Sequence, residues 1–365
     1  MDKNNYAIIM AGGIGSRFWP WSKINNPKQF LDILGIGKSL IEQTYERILK
    51  ICPKDNIFII TNKAYKEKIK SLISNIPEEN ILIEPFRRNT APCIAYGALK
   101  IKKINPQARI IVAPSDHLIQ KETEFCNIVQ EGFDLADETN GLLTIGIVPH
   151  WPETGYGYIH ADNSTTIKKT DIYEFYKVKK FVEKPPLELA IELYLSKQYY
   201  WNAGIFIWSV KSIIEAFRIH MPELYQQFTS NEEFFNTDKE YEKIAEIYEK
   251  SPNISIDYAI MEKANNVYVI TADIGWNDIG TWGSLYELSS KNSENNAPDN
   301  IKALFYDTKN CYVHLPEGKI AVICGLDDYI IVDNEKELLI CPKNREQEIR
   351  NFVNDVEKKF GTQHI

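Results

Sequence analysis

The sequence has 365 residues, 44% hydrophobic and 25% charged, enough for one large α/β domain with an appendage and without any compositional sign of disorder, collagen or coiled coil. Forty-two Lys and Arg against fifty Asp and Glu leave a net charge of −8, and no run of five basic residues occurs, which argues against nucleic acid or an anionic membrane as partner. A small anionic substrate stays open wherever cations gather locally.

The apolar run Tyr6–Met10 is too short for a signal peptide or a membrane span, so a cytoplasmic protein is expected. Further short apolar runs follow at 57–61, 81–84, 109–113 and 142–148, and most gaps between them carry helical periodicity. This predicts an α/β fold, a Rossmann-like, mixed but mostly parallel sheet flanked by helices. A capping box at Ser39-Leu-Ile-Glu42 predicts one helix start, and other helices are read at 64–74, 90–103, 122–138, 186–198, 210–219, 239–249 and 281–289. Strands near 157–160, 175–182, 204–208 and 267–271 predict a sheet that becomes mixed in its second half. The polar, Asn-rich stretch 291–300 marks a boundary. Short β-rich pieces at 303–306, 311–314, 319–324, 329–333 and 337–341 and a helix at 345–359 then predict a small C-terminal β-rich unit. The expected organisation is a catalytic domain over 1–290 and a small domain over 295–365 that serves packing or assembly, a homodimer included. Six cysteines without a CxxC and six histidines without an HxxxH or HxxEH pattern speak against structural zinc and a disulfide framework.

The first strand runs into Met10-Ala-Gly-Gly-Ile-Gly-Ser-Arg17. A glycine-rich turn leaving a strand can present successive backbone N–H groups to phosphate oxygens. It is not a dinucleotide fingerprint, because GxGxxG read from Gly13 would need glycine where Phe18 stands. A Walker A motif ending Gly37-Lys38-Ser39 likewise finds Asp32 where it needs glycine. By themselves the glycines could be a tight turn and nothing more. Arg17 and Lys28, the latter in Pro27-Lys28-Gln29-Phe30, add a forked cation and a point cation to that turn, a pair that suits a triphosphate.

GGxGxR followed by PKQF resembles the sugar-nucleotide pyrophosphorylases, and later segments narrow the resemblance to the mannose-1-phosphate guanylyltransferase family, short form without an isomerase domain. The segments are Glu84-Pro-Phe-Arg-Arg-Asn-Thr-Ala-Pro92, Pro114-Ser-Asp-His117, Glu153-Thr-Gly-Tyr-Gly-Tyr-Ile159, Phe181-Val-Glu-Lys-Pro185, Trp201-Asn-Ala-Gly-Ile-Phe206, Ser255-Ile-Asp-Tyr-Ala-Ile-Met-Glu262 and Trp276-Asn-Asp-Ile-Gly-Thr-Trp282. The resemblance covers residues 5–290 and implies the nucleotide-diphospho-sugar transferase fold. Arg87, Trp21 and Cys93 depart from the family's usual Gly, Leu and Ala.

Asp116 follows a strand, at the end of a sheet where ligands bind, although a lone Asp there is also a common turn or N-cap residue. Asp278 stands in a turn and admits the same bland reading. The resemblance implies that both hold Mg²⁺, with Arg17, Lys28 and Lys184 as the other catalytic residues. It further implies GTP contacts from Ala11, Gly12, Gly13, Gly15, Ser16, Arg17, Lys28 and Ser115, with Glu84, Pro85, Asn89 and Thr90 along guanine and ribose. The sugar phosphate would meet Gly155, Tyr156, Gly157, Glu183, Lys184 and Asn202. Read without the family, Glu183 and Lys184 are a surface pair, and Gly155 and Gly157 a turn between packed tyrosines. His117 is a positioned neighbour and Asp273 is structural.

The implied reaction is Mg²⁺-assisted attack by mannose 1-phosphate on the α-phosphorus of GTP, giving GDP-mannose and diphosphate. A phosphate monoester is already mostly deprotonated at pH 7, so no general base is needed, which agrees with the absence of any Ser/His/Asp or Cys/His constellation. Three alternatives stand: another base or sugar, a silent regulatory homologue, and a nicotinamide dehydrogenase, the last disfavoured by Phe18. The length leaves no room for an appended isomerase domain, so one activity is expected.

Overall fold

In the computed structural model, residues 2–170, 173–298 and 301–365 are described, so the last two residues of the 291–300 stretch lie outside them. The chain forms two compact units. One contains Met1–Gly12, Glu42–Ser115 and Ile119–Trp276, the other Gly13–Ile41, Asp116–Leu118 and Asn277–Ile365.

The first unit is built on a nine-stranded sheet. In chain order its strands and helices are β1 (Asn5–Ala11), α1 (Leu40–Ile48), β2 (Ile57–Asn62), α2 (Lys66–Leu72), β3 (Ile81–Glu84), α3 (Thr90–Ile104), β4 (Arg109–Pro114), the two-residue β5 (Leu118–Ile119), α4 (Glu122–Thr139), β6 (Leu142–Ile147), β7 (Gly157–Lys169), β8 (Tyr173–Glu183), α5 (Leu187–Ser196), β9 (Tyr199–Ser209), α6 (Val210–His220), α7 (Pro222–Thr229), α8 (Glu240–Lys250), β10 (Val267–Ala272) and the two-residue β11 (Trp276–Asn277). α1, β5 and β11 straddle the division between the units.

The sheet order is β3-β2-β1-β4-β9-β6-β10-β8-β7, with β7 also pairing β9. β3, β2, β1 and β4 are parallel, as their apolar runs and intervening helices predict. From β9 onward antiparallel pairs prevail, and among the described residues only β6 and β10 run parallel there. The mixed second half is therefore as expected, and the parallel share is smaller than the apolar runs suggest. β1 is buried along almost its whole length and packs with α3, where a Cβ on Gly97 would stand 2.7 Å from Ile8 Cδ1. α7 is not among the helices expected from sequence; it opens on Pro222, which at the first helical position is compatible with a helix.

In the second unit α9 (Trp282–Leu288) precedes β12 (Ala303–Tyr306), β13 (Tyr312–His314), β14 (Ala321–Cys324), β15 (Tyr329–Asn334), β16 (Glu337–Pro342) and α10 (Ile349–Phe360). β12 pairs in parallel with β14 and β13 with β15, each at an offset of eighteen residues, so the chain climbs as a coil. β16 closes antiparallel on β15. Within the Asn-rich stretch, Asn296 is buried and its amide bonds the Thr308 carbonyl and the Cys311 N–H at 2.8 and 3.0 Å.

The core of this unit joins the segment after the glycines to the C-terminal elements: Phe18, Trp19 and Leu31 pack in one cluster with Ile279, Trp282, Ile349 and Val353. Polar ties reinforce it. Trp19 Nε1 donates to the His364 carbonyl at 2.7 Å and Asn334 Nδ2 to the Pro20 carbonyl at 2.7 Å. Lys23 pairs with Glu337 at 2.6 Å, and the other Glu337 oxygen lies 2.8 Å from His364 Nδ1.

Candidate active site

Gly15 has a φ of +68° and opens the single 3₁₀ turn Ser16–Phe18. A Cβ at Gly15 would stand 2.5 Å from the Lys28 Cβ, so dihedral and close approach both demand glycine. Ser22 Oγ holds the Ile14 carbonyl at 2.7 Å and Gln29 Nε2 the Gly13 carbonyl at 3.0 Å. The glycine turn is thus shaped by the segment that follows it.

Lys28 is buried, and its three ammonium protons match three acceptors: the Asp278 carbonyl at 2.6 Å, the Ile279 carbonyl at 2.9 Å and Asp116 Oδ2 at 2.9 Å. One point charge therefore gathers three expected site residues distant in sequence, Lys28, Asp116 and Asp278. Burial alone would raise the Asp116 carboxyl. The Lys28 ammonium, with His117 Nε2 at 3.9 Å, holds it below the ordinary aspartate value instead. Asp278 Oδ1 accepts the Gly280 N–H at 2.8 Å.

The Asp116 carboxylate and the Asp278 backbone carbonyl meet on one ammonium, which brings the two aspartates to one place, and one or two carboxylates with phosphate oxygens are a donor set that Mg²⁺ takes. Among the described residues no group of three or more His, Cys, Asp or Glu could form an all-protein cage. A divalent ion here would complete its shell from phosphate and water, and the residues fit it.

Arg17 sits in the 3₁₀ turn with Ser16. Arg350, in the first turn of α10, was not singled out by sequence; its guanidinium is pushed below its ordinary value by burial and by the Arg17 charge. Neither arginine forms an ion pair among the described residues, so both cations are available to an anion.

The remaining expected residues belong to the first unit. Ala11 and Gly12 end the strand side of the turn, and the Ala11 carbonyl accepts Thr61 Oγ1 at 2.9 Å. Glu84, at the end of β3, lies beside Gly12, where a Cβ would stand 3.3 Å from Glu84 Oε2. Burial pushes the Glu84 carboxyl up to about 7 despite the Tyr248 hydroxyl that donates to it at 3.0 Å. Pro85 follows. Asn89, with a φ of +65°, caps α3 by accepting Thr90 N at 2.9 Å, and Thr90 Oγ1 accepts Ile256 N at 2.9 Å. The Thr90 hydroxyl is thus engaged with the 254–256 segment. Ser115 is buried and its N–H donates to the Met10 carbonyl at 3.1 Å.

On the expected sugar side the structure gathers Tyr156, Gly157, Glu183, Lys184 and Asn202. Gly157 pairs with Glu183 across β7 and β8, and a Cβ on Gly157 would collide with the Glu183 carboxylate. Lys184, with a φ of +46°, donates its N–H to the Tyr156 carbonyl at 3.1 Å and ion-pairs through its ammonium with Glu183. The Tyr156 ring stands edge-on to Trp201 and Trp276, both at 5.2 Å. Gly155 lies one turn away and donates to Glu153 Oε1 at 2.8 Å. Asn202 Nδ2 donates to Asp257 Oδ1 at 2.8 Å. Asp257 lies in the Ser255–Glu262 motif, and that place is its signal in the sequence. Asp273 forms an ion pair with Lys121 at 2.5 Å.

Residues 6–295, more than half of the chain, match the Nucleotidyl transferase family model. The chain belongs to the nucleotidyl transferase family. It is an enzyme of that family, whose members generally use a divalent metal. Residues 302–356 match the MannoseP isomerase/GMP-like beta-helix domain, in agreement with the eighteen-residue coil. The chain is 37% identical to a mannose-1-phosphate guanylyltransferase of Salmonella montevideo over 98% of its own length and 75% of the relative's. A solved mannose-1-phosphate geranyltransferase from Thermus thermophilus superposes with a TM-score of 0.83 at 29% identity, covering 97% of this chain and 99% of that one. A mannose-6-phosphate isomerase from Helicobacter pylori gives 0.61 at 26% identity, covering 75% of this chain and 99% of its own. Among the described residues no helix is long and apolar enough to cross a membrane.

Proposed function

We propose that this nucleotidyltransferase is a mannose-1-phosphate guanylyltransferase, which joins GTP and mannose 1-phosphate to give GDP-mannose and diphosphate. The observation that carries the reaction class is Lys28, whose buried ammonium ties the Asp116 carboxylate to the Asp278 backbone beside the Gly15 turn. The substrate pair rests on the likeness to a guanylyltransferase over 98% of the chain.

In this reading an oxygen of the sugar phosphate forms a bond to the α-phosphorus of GTP, and the bond from that phosphorus to the β-bridging oxygen breaks, releasing diphosphate. The nucleophile arrives mostly deprotonated at pH 7, so catalysis is orientation and charge neutralisation. Arg17, with Arg350 beside it, and the backbone N–H groups of the Gly12–Ser16 turn receive phosphate oxygens. Lys184 receives the sugar phosphate, Glu183 and Asn202 the sugar hydroxyls, and Glu84 to Thr90 line the base and ribose. Asp116 and Asp278 would hold Mg²⁺, which when bound offsets the negative charge on the phosphates. A homodimer is part of the proposal, supported by the exposed Leu304, Tyr306, Ile320 and Val322 of the C-terminal coil, and so is a cytoplasmic location.

The test is diphosphate release by purified protein across four nucleoside triphosphates and several sugar 1-phosphates, with mannose 6-phosphate isomerisation measured beside it. GTP with mannose 1-phosphate is expected to be the best pair. Preference for UTP or dTTP overturns the base, binding without turnover points to a regulatory homologue, and isomerisation alone overturns the reaction class.

A further inference from the structure

Asn202 is held in one orientation by partners of unambiguous chemistry. The Gly204 N–H can only donate, and it points at Asn202 Oδ1 from 3.2 Å. Thr144 Oγ1, whose single proton has Asn202 Oδ1 at 2.8 Å and the Ile205 carbonyl at 3.3 Å as acceptors, adds a further contact to that oxygen, while the direction of the amide rests on the Gly204 N–H. On the other side, the Asp257 carboxylate can only accept, and Asn202 Nδ2 gives it one proton at 2.8 Å. The amide is therefore not free to flip, and what it retains for a ligand is the second Nδ2 proton.

Asp257 opens the π-helical turn Asp257–Met261, a departure from regular helix that commonly re-aims side chains at functional sites. Keeping a carboxylate there is unfavourable. Burial and the nearby Glu183 charge push its pKa up to about 6. Gly157 adjoins both Asn202 and Glu183, since a Cβ on Gly157 would reach the Glu183 carboxylate and stand 3.5 Å from the Asn202 Cβ. The Asn202 and Glu183 side chains thus both stand against one glycine.

We propose that Asp257 is a positioning residue that fixes Asn202 with its amide N–H toward the sugar, so that Asn202 reads a hydroxyl oxygen while Glu183 reads a hydroxyl hydrogen. The proposal rests on the reading of Asn202 and Glu183 as sugar contacts and names their division of labour.

Two variants test it, each with a readout made without substrate beside the kinetics. In Asp257→Ala the KM for the sugar 1-phosphate rises about tenfold, the worth of one buried hydrogen bond, and the KM for GTP stays within about twofold. In Asp257→Asn the new amide oxygen still accepts from Asn202 Nδ2, and the KM returns to within about threefold of wild type. The Asn202 side-chain amide signals in a ¹⁵N correlation spectrum, identified by their loss in Asn202→Asp, keep their hydrogen-bonded shift in Asp257→Asn and move toward solvent values in Asp257→Ala. An unchanged KM in Asp257→Ala, an equal rise for GTP, or Asp257→Asn as impaired as Asp257→Ala overturns the positioning role. A wild type inert toward every sugar 1-phosphate overturns the parent reading, and the proposal with it, even where the amide signals behave as described.

Discussion

The two clusters of site residues handle charge in opposite ways. In the second unit the Lys28 ammonium meets the Asp116 carboxylate and two carbonyls, so a buried cation is matched by acceptors and the carboxylate is pulled down. In the first unit Glu84 and Asp257 are carboxylates pushed up by burial, and their nearest supports are hydrogen-bond donors: Tyr248 for Glu84, Asn202 for Asp257. A site for phosphates and a metal needs charge that persists at any working pH. A site for hydroxyls and a base needs oriented donors and acceptors, and tolerates carboxylates near their titration point.

The comparison breaks most severely at the carboxylates of the second unit. Asp116→Asn and Asp278→Asn should each lower the rate of diphosphate release by about a thousandfold, roughly 4 kcal/mol, and the double variant should be scarcely worse than the poorer single one, because groups acting as a unit are not additive. The measurement is rate against Mg²⁺ concentration, where added Mg²⁺ partly rescues the singles and not the double. Losses that multiply, or a single variant near wild type, would mean that the two carboxylates serve separate purposes.

Glu84 sharpens the same contrast through stability. Its folded-state pKa of about 7 lies above the ordinary 4.5. Between those values the folded chain keeps a proton that the unfolded chain has released, so its contribution is full below 4.5 and lost as pH rises through 7. Glu84→Gln removes the titration. The stability difference between wild type and variant should therefore change by roughly 3 kcal/mol between pH 4.5 and 7.5 and level off outside that window. Asp116 has the opposite sign: its contribution is present above the ordinary 3.8 and disappears only as pH falls through the lowered folded value. Urea unfolding of wild type, Glu84→Gln and Asp116→Asn at several pH values checks both signs; Asp257, raised to about 6, leaves a smaller slope of the same sign in Glu84→Gln, and a slope in that variant as steep as in wild type would assign the effect away from Glu84.

Much of this was legible in sequence where chemistry is local. The apolar runs and the capping box at Ser39 gave strands and helices of the first unit, and the glycine run after β1 marked the tight turn that Gly15 makes. Asp116 and Asp278 were legible through their motifs. What could not be read was set by long-range packing. Lys28 was expected to face a triphosphate, and only the fold shows its ammonium held by acceptors 88 and 250 residues away. Arg350 carries no local signal, and Asp257 none beyond its motif, because their neighbours, Arg17 and Asn202, come from other elements. The expectation of a packing or assembly role for residues 295–365 likewise could not anticipate that Asn334, Glu337 and His364 reach back to Pro20, Lys23 and Trp19.

Those ties carry the smallest effect and the finest test of the contrast. Trp19 is buried and its indole N–H has the His364 carbonyl as partner at 2.7 Å, while its ring packs in the cluster that also holds Phe18 and Ile349. Trp19→Phe removes the N–H and keeps an aromatic ring, so the expected loss of stability is about 1 kcal/mol, read as a shift of the urea midpoint at unchanged slope. Because Trp19 follows the Arg17 turn directly, the KM for GTP should rise by about threefold while the KM for mannose 1-phosphate stays constant. Loosening His364 from the other side, through Glu337→Gln, should act in the same direction, since Glu337 holds His364 Nδ1 at 2.8 Å and Lys23 at 2.6 Å. If both variants lose stability with no change in either KM, the C-terminal coil supports the fold and leaves the glycine turn alone. If the sugar phosphate is affected as much as GTP, the two clusters are not separable and the division of charge between them is not a division of function.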